Sequence, residues 1–65
     1  MIPDIDIWRC AALMINNYGD EAAMEAAACA DEHFAKGELE GKRVWMRIAK
    51  AIDELARVYA NETKH

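Results

Sequence analysis

Apolar positions along this chain recur at intervals of three and four rather than two, and the pattern is interrupted at Gly19 and Gly37. That period belongs to helices. In the first stretch Ile5, Trp8, Ala12 and Ile15 share one side of a helix, Ala11 and Tyr18 widen that side, and Arg9, Asn16 and Asn17 fall away from it. Asp4 or Asp6 can accept hydrogen bonds from the free N–H groups at its start, and Gly19 supplies a left-handed stop, which predicts a helix over about 5–18. Asp20 is placed to cap a second helix over about 20–36, with Glu21 and Glu25 at the positive end of its dipole. That helix is lined by Ala22, Ala23, Ala26, Ala27 and Ala30, leads to Phe34, and ends at Lys36 and Gly37. A third and longest helix is expected over about 39–61, with the weak helix former Gly41 in its first turn. Its seam is Trp45, Ile48, Ile52, Leu55 and Tyr59, bordered by Val44, Ala51 and Val58.

The expected fold class is therefore all-α, a three-helix arrangement of a helical hairpin plus a longer third helix in one domain spanning the chain. Strands are disfavoured because Val and Thr together number three and no apolar-polar alternation persists. The link at residues 19–20 is so short that the first two helices must be neighbours. The third is expected to pack on that hairpin, and its wide apolar face calls for more than one partner.

Composition narrows the class of protein without choosing a function. Of 65 residues 54% are hydrophobic, but thirteen are alanine, so the core must be thin. A chain this short buries only about 60% of its unfolded surface, and oligomerisation is one remedy. A net charge of −4 argues against nucleic acid as a partner. No stretch is long and apolar enough for a membrane span, and Met1 to Trp8 lacks the features of an export signal, so the expected location is cytoplasmic. Cys10 and Cys29 are then expected to stay reduced and to serve as small buried residues.

Candidate chemistry is sparse. Arg43, Arg47, Lys50 and Arg57, with Lys42 alongside, form a basic stripe that reads first as a solvated face, its charge answered in part by the pairs Lys50–Glu54 and Asp53–Arg57, and second as a surface for an acidic partner. Cys29 and His33 lie four apart, two ligands where zinc needs three or four, so no metal and no cofactor are expected. Asp31, Glu32 and His33 point in different directions around a helix, and there is no serine and no glycine-rich phosphate loop, so no catalytic residue is assigned. Met24 and Met46 lie off the seams and are candidate exposed contacts. Trp8, Ile15, Phe34, Trp45, Ile48, Ile52, Leu55 and Tyr59 are expected as core or interface anchors.

The run Ile7-Trp8-Arg9, with Tyr18 to Ala23, Ala30-Asp31, Gly37-Glu38, Gly41, Val44 to Ile48 and Ala51 to Leu55, resembles a family of short uncharacterised bacterial proteins over nearly the whole chain. That resemblance implies a stand-alone bacterial cytoplasmic protein and carries over no activity. Ala30, Gly37, Met46 and Ala49 also fall near the small and large positions of a tetratricopeptide helical hairpin, as a packing analogy, with Lys42 where that repeat has a small residue. The expected function is a protein–protein interaction or regulatory module that self-associates as a homodimer. Its rivals are a ligand-binding or enzyme-like role with a pocket across a dimer interface, and a nucleic-acid-associated regulator.

Overall fold

The computed structural model describes residues 4–63, and their side chains through Val58. It contains three α-helices, α1 (Asp4–Tyr18), α2 (Ala22–Ala35) and α3 (Leu39–Thr63), with one 3-10 turn, Gly19–Glu21, between the first two. Among the described residues there is no strand, so the all-α architecture stands. The expected boundaries agree to within two residues. Frayed helix ends account for such differences.

Gly19 stops α1 as its position suggests, in the left-handed region at φ 59°. Asp20 does not cap α2. The residue before α2 is Glu21, and no side chain hydrogen-bonds to the free N–H groups there. The 3-10 turn removes the need, because it feeds directly into α2 and the Ala22 N–H donates to the Gly19 carbonyl.

The corner between α2 and α3 is tighter and fully wired. Gly37 lies at φ 77°. Its N–H donates to the Phe34 carbonyl at 3.0 Å, and the Glu38 N–H donates to the His33 carbonyl at 2.8 Å. This is the paired Schellman closure, which satisfies carbonyls that the end of α2 would otherwise leave free. The Lys42 N–H then donates to the Glu38 carbonyl at 3.1 Å and starts α3.

The core is built from Ile7 and Ala11 of α1, Ala22 and Ala26 of α2, and Ile48, Ala51 and Ile52 of α3. Met14, Ile15, Ala23, Val44, Trp45, Ala49 and Leu55 pack around it, partly buried. Its three isoleucines are the largest of the buried side chains, at about 1.5–3 kcal/mol each. The alanines of α2 let α3 come close, and the contact between these two is the most extensive in the molecule; α1 packs chiefly on α3 and touches α2 least. The tight antiparallel pair is thus α2 with α3. Helix α1 lies against it, in place of a hairpin of the first two helices that receives the third.

Three buried-face expectations are corrected. The core side of α1 is Ile7 and Ala11, while Ile5 and Ala12 are exposed and Trp8 is 40% exposed. Ile7 occupies the inward position one residue before Trp8, which turns the indole to the flank. Phe34 is 57% exposed: it continues the row of Ala22, Ala26 and Ala30, but that row drifts by about 40° at each step and by the last turn of α2 has left the side that faces α3. Cys10 is exposed and Cys29 only partly buried, since Ala11 and Ala30 hold the neighbouring inward positions. Ala27, Tyr18 and Val58 are also exposed. Ile48 and Ile52 are buried and Ile15, Trp45 and Leu55 partly buried, whereas the side chain of Tyr59 lies outside the described residues. Among the described residues no helix is long and apolar enough to cross a membrane.

Candidate interaction surface

Helix α3 separates two shallow grooves, one on each flank. The first, of about 260 Å³, runs between α1 and α3 and is lined by Asp4, Ile7 and Trp8 on one side and Arg47, Lys50, Ala51 and Glu54 on the other. It takes in half of the basic stripe, but the Arg47 guanidinium donates across the groove to the Asp4 carboxylate, and Glu54 stands beside Lys50 in the lining. The groove therefore mixes both signs of charge. Arg43 and Arg57 are exposed elsewhere on the outer side of α3.

Among the described residues the ion pairs are His33–Glu38, Lys36–Glu32 and Arg47–Asp4. The expected pairs Lys50–Glu54 and Asp53–Arg57 are not formed, so the stripe is answered by α1 rather than by its own helix. A reading of one helix at a time could not find Asp4.

The second groove, of about 290 Å³, lies between α2 and α3 on the flank that α1 does not cover. Ala27, Ala30 and Ala49 form its floor, Asp31 stands on the α2 bank, and Lys42 and Met46 stand on the α3 bank. At one end the Lys42 ammonium sits 4.6 Å from the centre of the Phe34 ring. That contact holds an exposed aromatic in place by the attraction of a cation to the ring face. Met46 is 54% exposed, as its position off the seam suggests, and so is Met24, at 68% on α2. Ala27 and Ala49 show in the sequence only as small residues and Asp31 carries no signal as a site; the antiparallel pairing of α2 and α3 makes them neighbours.

His33 has a different task. Its Nδ1 lies 2.7 Å from Oε1 of Glu38, and because a carboxylate can only accept, the imidazole donates through Nδ1. The pair spans the Schellman corner by side chains where its backbone already closes. Gly41, in the first turn of α3, is the residue that makes room: a Cβ there would lie 2.6 Å from His33 Nδ1 and 2.8 Å from its Cγ. Gly41 is thus required by the close approach of the ring, beyond being tolerated in a first turn. Among the described residues no three of His, Cys, Asp and Glu gather as metal ligands do.

Comparison of the chain with protein-family models, with curated proteins and with solved structures finds no match.

Proposed function

We propose that this chain is a small protein–protein interaction module that works as a homodimer. The observation that carries the reading is the composition of the described surface: Ile5, Trp8, Leu13, Met24, Phe34 and Met46 are all at least 40% exposed, while no buried side chain is larger than isoleucine. Burying side chains of this size in a second subunit supplies what a core of three isoleucines and four alanines lacks.

The reading assigns no catalytic residue and no cofactor. Light scattering on a size-exclusion column tests it, with an expected mass of twice the 7.3 kDa chain. A protein that stays at the single-chain mass at every loading concentration is not a homodimer, and the reading fails.

A further inference from the structure

The exposed apolar residues are not equivalent, and one face of the molecule has features that say what covers it. This inference rests on the homodimer reading and asks which surface forms the seam. On α1 Ile5 and Trp8 share one exposed side, beside a groove in which Arg47 and Asp4 already pair, and Leu13 stands roughly opposite Trp8 around the helix. The flank of α2 and α3 is different. Its floor is Ala27, Ala30 and Ala49, which lets another backbone approach closely, and its rim is Met46, a side chain that adapts to the shape set against it. The two banks carry opposite charges, Asp31 on α2 and Lys42 on α3, and neither takes part in an ion pair among the described residues.

We propose that this groove is the dimer seam and that its occupant is a second copy of the same chain, seated with α2 of each subunit over α3 of the other. A closed two-fold pair must present the same patch twice. Two such arrangements are open to a pair of antiparallel helices. If α2 lies on the partner's α2, the two copies run antiparallel, so Asp31 never stands opposite the partner's Lys42, and where the axis crosses at its level it meets the partner's Asp31. If α2 lies on the partner's α3, Asp31 faces the partner's Lys42, and symmetry forms that pair twice. The charge pattern selects the second. The four helices at the seam then alternate in direction, as in an antiparallel bundle, with alanines from both subunits at the centre and Met46 and Phe34 covered from above.

Charge exchange provides the test. Asp31 is exposed, so Asp31→Lys leaves the subunit folded, and by setting a lysine against the partner's Lys42 in both symmetry-related pairs it is expected to weaken the dimer by about tenfold or more. Lys42→Glu is expected to do the same, and the double variant, with the charges exchanged, to recover most of the loss. Met46→Glu and Ala27→Glu, at exposed positions on the same flank, are expected to shift sedimenting mass toward the single chain over a dilution series with helical circular dichroism unchanged. Leu13→Glu, exposed on α1, is the control and is expected to leave association as it is. If the parent dimerises and the charge variants and Met46→Glu leave its dissociation constant unchanged, the seam lies elsewhere and only this inference falls. If the exchanged double variant is no tighter than either single variant, the α2-on-α3 arrangement is wrong. A monomeric parent overturns both this inference and the homodimer reading.

Discussion

At the scale of single residues, Gly41 shows how a position can be legible in the sequence and its reason illegible. A glycine in a first helical turn is tolerated anywhere, and replacing it by alanine normally favours a helix by up to about 1 kcal/mol. Here the new Cβ would meet the His33 ring, whose Nδ1 is engaged with Glu38. The ring must move and give up that hydrogen bond, or the corner must open, at a cost of about 1–3 kcal/mol for such overpacking. Gly41→Ala is therefore expected to lower stability by about 1 kcal/mol, the crowding outweighing the propensity. In a His33→Ala background the obstacle is gone, and the same substitution is expected to raise stability by about 0.5 kcal/mol. Thermal melts of the four members of this cycle check the reversal of sign. A stabilising Gly41→Ala in the parent would mean that the ring swings aside freely. Arg47 illustrates the opposite case, a contact that spans two helices and yet is worth little. Its pair with Asp4 joins α1 to α3 but is well exposed on both sides, and exposed pairs contribute about 0–1 kcal/mol.

At the scale of elements, helix existence, order and stops follow from glycine placement and apolar period, while the rotation of α1 does not. Between Ile5 and Ile15 only Asp6, Arg9 and Cys10 interrupt apolar residues, so two stripes compete: Ile5, Trp8, Ala12 and Ile15, or Ile7, Ala11, Met14 and Ile15. Both have helical spacing. The sequence offers the larger Trp8 to the first stripe, but α3 presents Ile48, Ala51 and Ile52 close to α1, and Ile7 with Ala11 fits that narrow space where an indole would not. Helix α3 has a single apolar side and a strongly polar one, so its seam could be read directly. The difference is measurable. Ile7→Ala is expected to cost about 3 kcal/mol and Ile5→Ala no more than about 0.5 kcal/mol. Likewise Trp45→Ala, which removes a side chain packed on the core, is expected to cost about 3 kcal/mol, several times the effect of Arg47→Ala. Circular dichroism melts of these variants at one low protein concentration give the comparison. An Ile5→Ala variant that melts earlier than Ile7→Ala would restore the first stripe as the buried one.

At the scale of the whole molecule, thin core and large surface are one fact seen from two sides. Alanines on α2 bring α3 close, which tightens the pair but buries little area per residue, and the apolar side chains that would thicken the core stand on the outside instead. None of this is visible in a helical period, because it depends on which flanks remain open after α1, α2 and α3 have met. If a second copy covers one of those flanks, folding and association are linked: whatever binds only the folded chain stabilises it, by about 2.7 kcal/mol at a hundred times the dissociation constant. That is close to the expected cost of Ile7→Ala, so concentration should rescue the variant. The melting temperature of the parent and of Ile7→Ala is expected to climb by about 4 °C for each tenfold rise in protein concentration, from the size of the linkage and the unfolding entropy of a domain this small. Met46→Glu, which spares the core and spoils the seam, is expected to melt at a temperature that does not depend on concentration. Scanning calorimetry over a dilution series separates the two behaviours. A parent whose transition stays fixed while concentration varies would mean that the apolar surface is stable in water without a second copy, and that the core of three isoleucines holds the fold alone.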